Sequence, residues 1–223
     1  MFRIKICGIT SLRDLEMVVA AGADAVGINF YAASPRAVSC REAASWFQSC
    51  SAQCVRVGVF VNHTLDEIHR TLEQVKLDVV QLHGDEPLDW IDRLAPWPVI
   101  RAVRRQPHES LTDVYTRLFG QNYPPGNLMA VLIDSAAPGQ YGGSGKSHPW
   151  DNLGPMPPVA GQLPWILAGG LRPETVAEAI SAARPSAVDV ASGVERTPGV
   201  KSQDLVHRFI ENARAAFARL TET

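Results

Sequence analysis

The sequence has no surplus of positive charge and no long apolar run, and each absence narrows what the protein can do. Its formal net charge is −2 at pH 7, so nothing favours binding to nucleic acid or to an anionic membrane. No apolar stretch approaches the roughly 20 residues that a membrane-crossing helix needs. The N-terminus also lacks the pattern of a secretory signal, so we expect a cytoplasmic protein without nucleic-acid or membrane partners.

Cysteine is scarce, and its spacing excludes two common uses. The four cysteines form no CxxC pair and no Cys/His cluster at zinc spacing. We therefore expect free thiols in a reducing compartment and no metal site. Whether the protein is a monomer or a homodimer cannot be read from the sequence.

What the sequence does contain is a series of eight short apolar runs rich in Val, Ile or Leu. They read RIKIC, DAVGINF, VRVGVFV, DVVQLHG, PVIRAV, LMAVLID, PWILAGG and SAVDVASG. Most gaps between them show helical periodicity, and Thr64 with Glu67 fits a capping box. This alternation predicts an α/β protein, a single (β/α)8 TIM barrel over residues 1–223. An open doubly wound sheet is the alternative, but the G-x-G-x-x-G that usually follows its first strand is absent.

One connection is too long and irregular for this pattern. Residues 138–164 follow the sixth run and are rich in Gly and Pro, which predicts a long loop or a degraded helix. Long loops of this kind often act as mobile lids, so we expect a lid here. The segment contains QYGGSGKS, but Gln140 stands where the first Gly of a P-loop belongs, so we expect no nucleotide site.

In such a barrel the chemistry lies at the C-terminal ends of the strands, so the residues that end each run are candidates. Strand alternation places Cys7 on the inward face with Lys5. A nearby positive charge would make its thiol a base or nucleophile; otherwise Cys7 is a small buried apolar residue. Asp134 is either a general acid whose pKa is raised by burial or an anchor for the loop that follows.

Glycine-rich strand ends around Gly170 and at Ser192 and Gly193 predict a phosphate site built from backbone N–H groups, with glycine-mediated turns as the alternative. Arg36, in the loop after the second strand, can grip a carboxylate through two parallel hydrogen bonds, or it is a surface arginine.

Two further residues, Lys5 and His83, remain to be assigned. A buried Lys5 needs a partner, and we predict that Asp189 on the eighth strand neutralises it and that the pair tunes the thiol. His83 is either a polar residue of the strand end or a structural hydrogen-bonding group.

Taken in order, the motifs resemble those of the phosphoribosylanthranilate isomerase family of tryptophan biosynthesis. The resemblance runs from Lys5 to about Lys201 and is carried by KICGIT, GADAVGINF, SPR, RVGVFVN, VQLHGDE, LIDS, LAGGLRPETV and VDVASGVE…PGVK. It implies a cofactor-independent Amadori rearrangement, an aldose-to-ketose isomerisation. N-(5-phosphoribosyl)anthranilate would become 1-(2-carboxyphenylamino)-1-deoxyribulose 5-phosphate.

The resemblance also implies roles for the two strand-end residues that carry chemistry. Asp134 would be the general acid that opens the sugar ring, and Cys7 the general base that removes the proton from C2. The loop 139–145 would close over the substrate.

Binding roles follow from the same resemblance. Arg36 would bind the anthranilate carboxylate, Asp189 would contact the sugar or support the site, and Gly170, Ser192 and Gly193 would hold the phosphate. Two alternatives stay open: another phosphosugar isomerase, such as that of the histidine pathway, and an inactive barrel that only binds phosphometabolites or a partner.

Overall fold

Eight parallel strands close into a barrel in which each strand pairs with its neighbours in the chain and β8 pairs with β1. The computed structural model describes residues 1–49, 54–106, 109–120, 122, 124–134, 150, 153 and 163–221. The strands are β1 (Ile4–Cys7), β2 (Ala25–Asn29), β3 (Val55–Phe60), β4 (Val79–Leu82), β5 (Val99–Arg104), β6 (Leu128–Asp134), β7 (Trp165–Ala168) and β8 (Ala187–Val190). The predicted TIM barrel is confirmed, and the open sheet is excluded.

Helices flank the barrel and mostly follow the predicted pattern. The described helices are α1 (Leu12–Ala20), α2 (Cys40–Ser49), α3 (Leu65–Gln74), α4 (Trp90–Arg93), α5 (Leu111–Phe119), α6 (Val176–Ala183) and α7 (Gln203–Thr221). The capping box of Thr64 and Glu67 at the start of α3 is confirmed. Helices α4 and α6 begin three residues after Pro87 and Pro173, because a turn follows each proline.

The strand residues divide into two packed layers, as the two-residue period of a strand requires. In β6, Ala130 and Leu132 point into the barrel and join an inner cluster. Val131 and Ile133 point outward and join the layer between the barrel and its helices. Ile4 and Ile6 of β1 lie in that outer layer, which confirms the predicted orientation of this strand.

A small antiparallel hairpin after β8 was not predicted. It consists of β9 (Glu195–Thr197) and β10 (Val200–Lys201), and Gly199 makes its turn with a φ of +82°. Between β6 and β7 the structure describes only Trp150, Leu153 and residues 163–164. The predicted lid and its 139–145 segment therefore lie outside the described residues.

Two further observations concern the cysteines and the length of the helices. Cys7, Cys40 and Cys54 carry free thiols. Among the described residues, no helix is long and apolar enough to cross a membrane.

Candidate active site

The carboxyl ends of the strands surround a cavity of about 300 Å³. It is lined by every residue singled out above as a candidate for chemistry or binding: Cys7, Arg36, Asp134, Gly170, Asp189, Ser192 and Gly193. Asn29 and His83 line it as well. Asn62, two residues after β3, and Arg104, the last residue of β5, are not part of its lining. A barrel therefore gathers into one pocket residues that lie far apart in the sequence.

A larger cavity, about 590 Å³, opens at the opposite end of the barrel. Its polar groups are already engaged in the fold. The Asp24 carboxylate accepts hydrogen bonds from the backbone N–H groups of Arg3 and Ile4, and Arg214 donates to the carbonyl of Gly22. We therefore place the chemistry at the smaller cavity.

Lys5 and Asp189 form an ion pair inside the barrel, as predicted. They are register partners on the adjacent strands β1 and β8, and Lys5 Nζ donates to Asp189 Oδ1 at 2.9 Å. The lysine side chain is 0 % exposed. A Cβ placed on Gly27 would lie 2.6 Å from Cys7 Sγ and 3.1 Å from Lys5 Nζ. Glycine at this position of β2 therefore leaves room for the ammonium and the thiol to lie side by side.

Opposing influences act on the Cys7 thiol. Burial raises its pKa above the ordinary value, and the positive charge of Lys5 is the largest influence in the other direction. The charge expected to favour the thiolate is therefore present, but burial outweighs it. Burial also lowers the pKa of Lys5, but Asp189 and Cys7 overcome this and hold that pKa above its usual value.

Asp134 ends β6 and faces the same cavity. His83, directly after β4, interacts electrostatically with Asp134. Burial lowers the pKa of the His83 imidazole, and the charges of Asp134 and Asp189 oppose that shift. A neutral imidazole is thus favoured in the pocket. Its Nδ1 lies 2.8 Å from Gln81 Nε2, so His83 is held by a hydrogen bond within the barrel.

The strand ends of β7 and β8 approach each other through glycine. Gly170 has a φ of +69°, in the left-handed region that favours glycine. A Cβ on Gly193 would lie 1.9 Å from the carbonyl oxygen of Leu171, so no larger residue fits there. Ser192–Val194 form a single 3₁₀ turn directly after β8. Backbone N–H groups near such a turn can bind an anion.

Arg36 reaches the pocket across Gly8 and is held by a partner that the sequence analysis missed. Its Nε donates to Glu195 Oε1 at 2.8 Å, and its Nη2 donates to Glu195 Oε2 at 2.6 Å. A Cβ on Gly8 would come within 2.5 Å of Arg36 Cδ, so glycine beside Cys7 makes this path available. The hydrogen bonds that Arg36 donates to Glu195 raise the pKa of Arg36.

Lys201, at the end of the hairpin, is the second residue that the sequence analysis missed. Its buried ammonium donates to Cys7 O at 2.6 Å, to Ala191 O at 3.0 Å and to Glu195 Oε1 at 2.9 Å. Both missed residues lie within VDVASGVE…PGVK, so the spacing of Glu and Lys in that motif was the available signal. Their contacts to Arg36 and to Cys7 join residues too far apart in sequence for spacing to reveal.

Metal binding finds no support in the described part of the chain, where no group of three His, Cys, Asp or Glu side chains could hold an ion. The pocket instead offers a thiol, a carboxyl group, an imidazole, an arginine and backbone N–H groups. That set suits proton transfer on an anionic substrate.

Comparison with known proteins gives a consistent result. The family model for N-(5'-phosphoribosyl)anthranilate isomerase matches residues 4–212. The enzyme of that name from Acidithiobacillus ferrooxidans is 44% identical over 216 residues, covering 96% of this chain and 98% of that protein. The isomerase structure from Thermotoga maritima has a TM-score of 0.81 at 39% identity, covering 96% of this chain and all of that one.

A further solved structure bears on the ligand. It is a phosphoribosylanthranilate isomerase in complex with reduced 1-(o-carboxyphenylamino)-1-deoxyribulose 5-phosphate, called rCdRP below. It has a TM-score of 0.78 and 36% identity, and the match covers 96% of this chain and 100% of that chain.

Proposed function

The chain belongs to the N-(5'-phosphoribosyl)anthranilate isomerase family, and from that premise we propose how its pocket carries out the isomerisation. The substrate is N-(5'-phosphoribosyl)anthranilate and the product is 1-(2-carboxyphenylamino)-1-deoxyribulose 5-phosphate, made without a cofactor in one domain spanning residues 1–223. The observation that carries the proposal is the meeting of Cys7 and Asp134 in one cavity, beside glycine-rich strand ends.

The first step opens the sugar ring. The Asp134 carboxylic acid gives its proton to the ring oxygen, the bond from C1 to that oxygen breaks, and a Schiff base forms between C1 and the anthranilate nitrogen. The Cys7 thiolate then takes the proton from C2, and the electron pair of that bond forms the C1=C2 bond of an enolamine.

The second step restores both groups. The enolamine gains a proton at C1 and loses the proton of its C2 hydroxyl, which leaves a ketone at C2. These two transfers return one proton to Asp134 and remove one from Cys7, so no oxidant or reductant is needed. Burial raises the pKa of the Cys7 thiol, and the Lys5 ammonium is the largest influence that lowers it toward the thiolate that the first step requires.

The remaining residues bind the substrate. Arg36 holds the aryl carboxylate, backbone N–H groups at Gly170, Ser192 and Gly193 hold the 5-phosphate, and Asp189 supports the site through Lys5. Charge-assisted contacts at both ends of the substrate would orient the sugar between the acid and the base.

The test is turnover of freshly generated N-(5'-phosphoribosyl)anthranilate, followed by the loss of its anthranilate-type fluorescence. We expect fast decay with the wild type and a loss of about 10²–10⁴-fold in Cys7→Ser and in Asp134→Asn, the usual range for general acid–base catalysis. Retained binding of rCdRP by both variants is the control for folding. Binding of rCdRP without turnover by the wild type would instead indicate a barrel that only binds its ligand.

A further inference from the structure

We propose that Glu195 and Lys201 are positioning residues that aim Arg36 at the aryl carboxylate of the substrate. This inference rests on the proposed function, because it concerns the group that Arg36 binds. Neither residue is part of the cavity lining, and both act through Arg36.

The first argument is the geometry of the guanidinium. Glu195 occupies one edge of it, using the Nε and Nη2 donors in a paired contact. Arg36 is about one-fifth exposed at the pocket, and among the described residues Nη1 has no hydrogen-bond partner. An arginine carries five donors in a rigid fork, so the Nη1 end can take a second carboxylate while Glu195 holds the other edge.

The second argument is charge. The ion pair of Arg36 and Glu195 by itself would have no net charge and would bind a substrate carboxylate weakly. Lys201 adds a buried positive charge against the same Glu195 oxygen that accepts from Arg36 Nε. Burial raises the pKa of Glu195, but the hydrogen bonds from Arg36 and Lys201 outweigh it, so the group stays ionised. The three charges together leave a surplus of one positive charge for the ligand.

The third argument is rigidity. All three donors of the Lys201 ammonium are used, on the end of β1, on the residue after β8 and on Glu195. Its backbone N–H also donates to Asp14 Oδ2 at 3.0 Å. The hairpin that carries Glu195 is thereby fixed to the same strand end that carries Cys7. The position of Arg36 is set relative to the base and the phosphate loop.

The experiment compares two ligands: rCdRP and its analogue with a plain phenyl group, which lacks the aryl carboxylate. Their affinities are measured by titration calorimetry for the wild type, Glu195→Gln and Lys201→Met. Lys76→Met serves as the matched control, because Lys76 is exposed and precedes β4 at the far end of the barrel. We expect both site variants to bind rCdRP about tenfold more weakly, a change worth about 1.4 kcal/mol, and to bind the analogue almost as the wild type does.

Glu195→Gln separates positioning from charge. If Glu195 acted only through its negative charge, removing that charge would tighten the binding of rCdRP, whereas positioning predicts weaker binding. Tighter binding in this variant, or equal losses for the two ligands in either variant, would overturn the inference. If the wild type itself did not bind rCdRP, the proposed function would fail first, and the two failures are thereby distinguished.

Discussion

Two buried lysines contact Cys7, and they differ in what else they touch. Lys5 lies inside the barrel, next to the thiol, and is paired with Asp189. Lys201 lies on the hairpin after β8 and donates to the main-chain carbonyl of Cys7. Both side chains are fully buried, yet the pKa of Lys5 is raised while that of Lys201 is lowered, chiefly by its burial.

Equal burial thus serves different purposes in the two lysines. Lys5 faces two groups that carry or can acquire negative charge, so its charge is stabilised and in turn acts on the thiol. Lys201 spends two of its three donors on neutral carbonyl groups, which fix geometry more than they stabilise charge. We therefore assign Lys5 to the reactivity of Cys7 and Lys201 to the placement of Arg36.

The largest difference is expected in stability. Lys5→Met leaves the Asp189 carboxylate buried without its partner, and breaking such a pair costs about 3–5 kcal/mol of unfolding free energy. The double variant Lys5→Met/Asp189→Asn should recover at least half of the loss, because no lone charge remains. Denaturant unfolding with matched slopes would measure both. A double variant no more stable than the single one would show that the ion pair is not the cause.

A smaller loss is expected for the other lysine. Lys201→Met removes three hydrogen bonds from a charged donor. It leaves Glu195 paired with Arg36, so no buried charge loses its only partner. We expect at least the loss of about 1.5 kcal/mol that one hydrogen bond to a charged group is worth, but less than for Lys5→Met. The same unfolding experiment measures it. A loss exceeding that of Lys5→Met would reverse the comparison and make Lys201 the principal structural cation.

The smallest loss of stability is expected for a variant outside the pocket, which serves as a reference for the two lysine variants. Thr64→Ala removes the cap of α3 and should cost about 1 kcal/mol. Thr64 is not among the residues that line the pocket, so kcat and KM should stay at wild-type values. Altered kinetics in this variant would mean that loss of stability alone disturbs the site, and the lysine variants would need to be interpreted with that in mind.

The sequence analysis succeeded where a pattern is local or a register is simple. Eight apolar runs predicted the strands, and the period of two placed Lys5 and Cys7 on the inner face of β1. Lys5 and Asp189 could be paired because the first and last strands of a closed barrel are neighbours.

It was incomplete where the outcome depends on tertiary contacts. Arg36 meets Glu195 across 159 positions of sequence, and no local pattern reveals that contact. The raised pKa of Cys7 depends on how deeply the folded chain buries the thiol, which a neighbouring charge alone does not determine. The hairpin of β9 and β10 is too short to show a periodic pattern.

The most direct test is the pH dependence of Cys7 alkylation by iodoacetamide, followed on the Cys7 peptide by mass spectrometry in the wild type, Lys5→Met and Lys76→Met. Because burial raises the thiol pKa and Lys5 opposes that rise, the wild-type thiol should titrate above an ordinary cysteine and the Lys5→Met thiol higher still. Lys76→Met should match the wild type. An unchanged or lowered thiol pKa in Lys5→Met would contradict the assignment of Lys5 to the reactivity of Cys7.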